Sequence, residues 1–119
     1  MNNISHAQLV TSLAKDGQAI IDALTPLDAH LWHMSSCLCG ESAELFDAIK
    51  KAVIYRQPID LVNCVEELGD LEFYLEGLRQ GLNLTREQCL ESNIRKLTKR
   101  YGEKYSDRAA QERIDKQSE

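Results

Sequence analysis

Hydrophobic residues recur along this chain at helical spacing, and no stretch of any length alternates as a β-strand would. Ser5 and Gln8 have the spacing of a capping box, which predicts a first helix that runs from there to about Leu24. A similar box at residues 85–88 predicts another helix that runs through about Tyr101.

Two longer helices are predicted between these. Thr25 places a cap donor before a proline at the first helical position, which predicts a helix over about 26–55. Gly40 lies near its middle, where a kink could form. Asp60 can cap a third helix that runs to about Gln80.

These elements define an all-α fold. Ser106 can cap a short, polar last helix, which is expected to fray near Glu119. Four packed helices with short loops, followed by this short helix, give a four-helix bundle-like architecture. The length of 119 residues makes residues 1–119 one domain. Its core is modest, so formation of an oligomer would help to stabilise it.

The composition of the chain mainly shows which partners and locations are not expected. The net charge of −5 disfavours duplex nucleic acid as a partner, because backbone binding needs concentrated Lys and Arg. No apolar run approaches the roughly 20 residues needed to cross a bilayer, so no membrane association is expected. Residues 1–6 lack the basic and apolar regions of a signal peptide, which makes the cytoplasm the expected location. A nucleotide is compatible with this charge, because bound divalent cations can invert the local charge.

The four cysteines lack a paired C-x-x-C pattern. They are Cys37, Cys39, Cys64 and Cys89. We expect buried, reduced thiols that act as small hydrophobic residues. A thiolate metal site built on Cys37 and Cys39 is the alternative, although side chains two positions apart on a helix diverge.

Two of the predicted helices carry a pair of acidic residues on the flank of an apolar stripe. Glu41 and Glu44 in the second helix lie three positions apart and point to the same side. Glu67 and Asp70 repeat this spacing in the third. The predicted core faces are Leu31, Leu38, Leu45 and Ile49 in the second helix, and Leu61, Cys64, Leu68, Leu71 and Leu75 in the third. The flanks also contain His30, Met34, Cys37, Ala48 and Lys51 in the second helix, and Asn63 and Tyr74 in the third.

Convergence of the two flanks would bring four carboxylates into one small space. Four anions at close range repel strongly in a partly dehydrated site. An all-oxygen ligand set suits Mg²⁺, with Mn²⁺ able to substitute. Since Mg²⁺ usually takes part of its shell from waters and substrate phosphates, the set favours phosphate chemistry over a structural metal.

Two other interpretations of the acids stay open at this point. Acidic residues at helical spacing often form only a solvated face, as in a non-catalytic helical interaction module. A di-iron carboxylate bundle is the second, but it needs Glu-x-x-His pairs, and no histidine follows Glu41.

Three segments in order resemble the MazG-like all-α nucleoside triphosphate pyrophosphohydrolases. The first half of the family motif is similar to residues 40–51, GESAELFDAIKK. The second half is similar to residues 66–71, EELGDL, with Tyr74 following. The family's downstream segment is similar to residues 93–101, NIRKLTKRY. Short, phage-type members commonly carry a histidine at the position of His33.

The resemblance implies an activity and a set of site residues. The activity is cleavage of the α–β phosphoanhydride, which converts a nucleoside triphosphate and water to the monophosphate and pyrophosphate. The family's metal-binding acids match Glu41, Glu44, Glu67 and Asp70. Its positions implicated in phosphate or nucleotide contact match Asn93, Lys96 and Arg100. A homodimer or homotetramer is also implied. Ala43 replaces a glycine common in relatives, a change that is harmless inside a helix.

The residues suggest roles in this reaction. Glu41 or Glu44 is expected to orient the attacking water or take its proton. Asn93 and Arg100 share one flank of the fourth predicted helix, with Lys96 a little further round, and this basic flank suits a triphosphate.

Base recognition is expected around four residues that can stack on or contact a nucleobase: His30, Trp32, His33 and Tyr74. Glu72 falls on the predicted core face of the third helix, where a buried carboxylate would need a partner. We expect purine deoxynucleoside triphosphates as substrates, dGTP first. A dCTP/dUTP-specific or a phosphoribosyl-ATP pyrophosphatase on the same scaffold is the alternative.

Overall fold

The computed structural model describes residues 3–102 and 104–117, and every regular element in these ranges is helical. The elements are α1 His6–Leu13, α2 Gly17–Ala23, α3 Pro26–Val53, α4 Leu61–Gly81, α5 Arg86–Tyr101, α6 Asp107–Glu112 and a 3-10 turn at Ile114–Lys116. The predicted all-α class is therefore confirmed. The predicted fraying near Glu119 lies outside the described residues. None of the described helices has the length and apolar character needed to cross a membrane.

Most helices begin at the predicted caps. The Thr25 hydroxyl accepts the backbone N–H of Asp28 at 3.1 Å, and Thr85 accepts that of Gln88 at 3.1 Å. The Asp60 carboxylate closes the first turn of α4 in the same way. These bonds satisfy backbone donors that have no partner within the helix. Helix α3 continues through its middle glycine without interruption.

The single helix predicted from Ser5 to Leu24 is wrong. Ser5 does cap a helix, but α1 ends at Leu13 and α2 begins at Gly17. The carboxylate of Asp16 accepts the N–H groups of the next turn, which starts a new helix there. Apolar spacing continues across the break, so periodicity alone could not reveal it.

Helices α3 and α4 form an antiparallel hairpin with close contacts at two glycines. A Cβ atom added to Gly77 would lie 2.4 Å from the sulfur of Met34, and one added to Gly81 would lie 2.8 Å from the His30 ring. The His30 Nε2–H donates to the carbonyl oxygen of Gly77 at 2.8 Å. The absent side chains therefore let the two backbones approach closely at this end of the hairpin.

The residues that face each other in this hairpin come mostly from outside the predicted core faces. The buried residues are Met34 and Ala48 in α3, and Cys64 and Glu67 in α4. All but Cys64 come from the predicted flanks, whereas Leu68 of the predicted core face is 51% exposed. The spacing identified which residues share a face, but it could not determine which face turns towards the neighbouring helix.

The other helices do not complete a bundle within one chain. Helix α5 packs against α6 and the 3-10 turn, and within the described ranges neither α1 nor α2 packs extensively on the hairpin. Two hydrogen bonds, of 2.8 and 3.2 Å, join Arg100 of α5 to Asp115. The radius of gyration is 20.5 Å, against about 13–14 Å for a compact domain of this length. The predicted packing of four helices is therefore not found among the described residues of a single copy.

The cysteines differ in burial. All four are free thiols, and Cys64 is buried while Cys37 is half-buried. Cys39 and Cys89 are exposed, so the prediction of buried thiols is wrong for these two. Cys39 lies two positions beyond Cys37, on a side of α3 that does not face α4.

Candidate metal centre

Three acidic side chains converge in the seam, by which we mean the contact region between α3 and α4. Glu41 of α3, and Glu67 and Asp70 of α4, each place one carboxylate oxygen within 4.8 Å of the other two. Glu67 and Asp70 lie three positions apart and therefore project to the same side of α4. Glu41 lies opposite them because the hairpin is antiparallel. The two acidic flanks thus meet as the sequence predicted.

Burial differs sharply within this group. Glu67 is only 8% exposed, Glu41 is half-buried and Asp70 is exposed. The Oε2 atoms of Glu41 and Glu67 are enclosed, and no described residue gives either of them a hydrogen bond. A buried carboxylate oxygen without a partner is costly. The pair therefore calls for a proton or a cation between its oxygens.

The same arrangement raises the pKa of Glu67 from its ordinary value of 4.5 to about 7. The largest cause is the neighbouring Glu41 carboxylate, to which Glu67 can donate a hydrogen bond only when it is protonated. Burial and the negative charge of Glu44 raise the pKa further. Near neutral pH, the metal-free site is therefore poised between a protonated and a fully anionic state.

Glu44 lies beside this group without joining its tightest contacts. A protonated Glu67 could also donate a hydrogen bond to Glu44, and this makes the smallest contribution to the raised pKa of Glu67. Together with Asp47 and Asn63, Glu44 and Glu67 line an open recess of about 450 Å³. The fourth predicted ligand is therefore at the site, on the side from which a small molecule could reach the acids.

Tyr74 and Cys37 extend the site along the seam. A hydrogen bond with Cys37 raises the pKa of the Tyr74 phenol, and the charges of Glu41 and Asp70 raise it further. The phenol therefore keeps its proton at neutral pH and can donate it in a hydrogen bond. The sequence placed both residues on the predicted flanks, and it gave Cys37 a packing role with a thiolate metal site as the alternative.

The predicted phosphate-binding residues lie elsewhere in a single copy. Asn93, Lys96 and Arg100 belong to α5, which packs against α6 and not along the acidic seam. Arg100 is engaged by Asp115, whose side chain is only 5% exposed. A single copy therefore does not pack this basic flank along the acids within the described residues, and contact of these three residues with phosphate stays a prediction. An isolated Asp in the polar C-terminal segment gave no signal that it would pair with Arg100.

The predicted base-binding residues are mostly open to solvent. Trp32 is 72% exposed and His33 is also exposed, whereas Tyr74 is half-buried at the seam. Glu72, predicted to be buried, is exposed instead, with the Nη2 atom of Arg79 at 3.9 Å from its Oε2. The reason is the rotation of α4, which turns Glu67 rather than the predicted core face towards α3.

No protein-family model, curated protein sequence or solved structure matches this chain. The assignment of the site therefore depends on its own geometry. Its donors are carboxylate oxygens, the ligand type that Mg²⁺ and Mn²⁺ prefer. Two of those oxygens are buried and unpaired within the described part of the chain, at Glu41 and Glu67. The residues present fit a hard divalent cation.

Proposed function

We propose that this protein is a Mg²⁺-dependent hydrolase that converts nucleoside triphosphates to monophosphates and pyrophosphate. The observation that supports this most is the buried, unpaired pair of oxygens on Glu41 and Glu67 beside Asp70. A buried carboxylate pair of this kind is expensive unless a cation binds it. Mg²⁺ bound by carboxylates usually completes its shell with waters and substrate phosphates.

In this proposal the acidic residues bind the metal and orient the attacking water. Glu41, Glu67 and Asp70 would hold the metal, with Glu44 as the fourth ligand at the recess. The bound cation would neutralise phosphate charge and lower the pKa of a water molecule. Glu44 is the more accessible of the two candidate bases, so we assign it the orientation of the attacking water. Tyr74 can donate a hydrogen bond into the same space.

The resemblance to the MazG-like pyrophosphohydrolases implies which bond is cleaved, the α–β phosphoanhydride, and which further residues contact the substrate. On that basis Asn93, Lys96 and Arg100 would contact phosphate, and Glu41 is the alternative base to Glu44. Substrate binding would then have to bring α5 to the acids or release Arg100 from Asp115. We also propose a cytoplasmic protein that forms a homodimer or homotetramer.

We propose purine deoxynucleoside triphosphates as the preferred substrates, dGTP first. Trp32 is exposed and free to stack on a base, and Tyr74 lies at the acids themselves. A purine offers the larger face for such stacking. Selectivity for guanine would also need a polar partner for its Watson–Crick edge, and Asn63 beside the recess is placed to supply one.

The test incubates the protein and Mg²⁺ with each common ribonucleoside and deoxyribonucleoside triphosphate. Phosphorus NMR then identifies the products of each reaction. Release of pyrophosphate and a monophosphate supports the proposal, whereas release of a diphosphate and inorganic phosphate contradicts it. A greater kcat/KM for dCTP or dUTP than for dGTP would overturn the purine preference alone. Hydrolysis of phosphoribosyl-ATP but of no common triphosphate would identify the alternative activity.

A further inference from the structure

The hairpin of α3 and α4 carries one broad aliphatic surface that no other helix of the chain covers extensively within the described residues. In each helix, a stripe of leucines follows the seam residues by one position. Because the helices are antiparallel, a step of one residue rotates both stripes to the same side of the hairpin. We call this surface the leucine face; its six defining residues are Leu38, Leu45, Ile49, Leu61, Leu68 and Leu75.

Exposure of this face is considerable. Ile49 is 39% exposed, Leu68 51% and Leu61 66%, while the other three members are half-buried. Monomeric proteins rarely leave contiguous apolar surface of this kind in water. Helices α1, α2 and α5 do not cover it, since α5 packs on α6 and the other two make no extensive contact with the hairpin where the chain is described.

The total accessible surface of the chain is larger than that of a compact protein of the same mass. The chain has an accessible surface of 9931 Å², whereas a compact 13.5 kDa protein exposes only about 6,500 Å². The difference is about 3,400 Å² per chain, more than the roughly 1,000–2,500 Å² that each subunit buries in an obligate dimer. The surface available for association is therefore ample.

The size and charge of the face determine what can cover it. Helix α4 has 21 residues and is about 31 Å long, so two adjacent helices present on the order of 600 Å². That approaches the roughly 800 Å² per partner of a standard interface. The six defining residues are aliphatic, but Glu72 lies between Leu68 and Leu75 on the same side of α4 and is exposed. The Nη2 atom of Arg79 lies 3.9 Å from its Oε2, so this cation offsets the charge of the carboxylate. An aliphatic surface with little net charge that is complementary to itself suits a two-fold symmetric contact.

We propose that the leucine face is the self-association surface of this protein, covered by the same face of a second copy. Two hairpins then pack as four helices around a shared aliphatic core. The acids lie on the side of the seam away from this core, so both copies keep their metal centres open. The proposal does not depend on the hydrolase assignment, since it uses only the apolar surface.

The test compares Leu68→Arg with Val62→Arg by sedimentation equilibrium at micromolar concentration. Val62 is 73% exposed on the same helix but faces away from the leucine face, which makes it a matched control. We expect the wild type and Val62→Arg to have about twice the 13.5 kDa chain mass, or a multiple of that, and Leu68→Arg to associate at least tenfold more weakly. A compact wild-type monomer, or full dimerisation of folded Leu68→Arg, would overturn the proposal.

A second measurement keeps the proposal testable if Leu68→Arg does not fold. A photoreactive phenylalanine analogue at position 68, and separately at position 62, adds no charge to the face. Illumination should cross-link two chains through position 68 and not through position 62. Efficient cross-linking through position 62 alone would show that copies meet on another surface.

Discussion

Glu41 and Glu67 meet across the seam between α3 and α4, and the Oε2 atom of each is buried without a hydrogen-bond partner among the described residues. A helix pair held together only by packing would place apolar side chains there. The acids therefore reduce the stability of the hairpin unless a proton or a cation lies between their oxygens.

The first prediction is that the stability of the metal-free protein falls as pH rises from about 4.5 to about 7. Glu67 has a higher pKa in the folded than in the unfolded chain, so between these values the folded state binds more protons. Raising the pH through this window therefore favours unfolding. Urea denaturation in the presence of a chelator, at a series of pH values, measures this slope.

Glu67→Gln should reduce this pH dependence, because its amide does not titrate, while Glu66→Gln on the exposed side of α4 should retain it. A stability that is constant or increases over the same window in the wild type would contradict the raised pKa of Glu67.

The second prediction is that Mg²⁺ binding releases protons near neutral pH. Metal ligands must be deprotonated, and the pKa of Glu67 of about 7 means that the metal-free site is partly protonated there. Calorimetric titrations at pH 7 in two buffers of different ionisation enthalpy should give about half a proton released per site. The release should vanish at clearly alkaline pH. Equal binding enthalpies in both buffers at pH 7 would rule out this linkage.

The third prediction concerns Arg100, which holds Asp115 through two hydrogen bonds. Arg100→Ala would leave a carboxylate that is only 5% exposed without its cation, which is unfavourable. We expect a Tm several degrees below that of Arg95→Ala, a control on an exposed position of the same helix. If the two variants melt alike while Arg100→Ala alone raises KM for the triphosphate, Arg100 acts on substrate and not on the fold.

The fourth prediction compares two helical glycines. A Cβ at Gly77 would overlap the sulfur of Met34, a buried residue with little room to move, so Gly77→Ala should cost about 1–2 kcal/mol. A Cβ at Gly40 meets no described atom within 4 Å, so Gly40→Ala should stabilise α3 by about 0.5–1 kcal/mol. Free energies of unfolding from urea denaturation measure both. Stabilisation by Gly77→Ala would show that the helices do not approach closely there.

Local signals in the sequence were sufficient for much of the fold. Capping residues such as Thr25 and Thr85 identified helix starts because a cap bond involves only neighbouring residues. The break between α1 and α2 at Asp16 was not predicted, because this capping residue lies within a stretch whose apolar spacing continues without interruption. Local chemistry was thus informative wherever no competing pattern overlapped it.

The candidate site was predictable for a different reason. The spacing of Glu67 and Asp70 places both on one side of α4 however the helices pack. They therefore meet Glu41 when this side of α4 packs against α3. The burial of Glu67 did not follow, because the rotation of each helix depends on tertiary contacts. The pairing of Arg100 with Asp115 was hidden for the same reason, since it depends on how the C-terminal segment folds back.

The last prediction tests the central claim, that the buried acids form the catalytic metal centre. The measurement is pyrophosphate release from dGTP with Mg²⁺ by the wild type, Glu67→Gln and the neighbouring control Glu66→Gln. Loss of a metal ligand should lower kcat by at least about 100-fold in Glu67→Gln, while Glu66→Gln keeps the wild-type rate. A rate for folded Glu67→Gln within about threefold of an active wild type, a difference below 1 kcal/mol, would contradict the account.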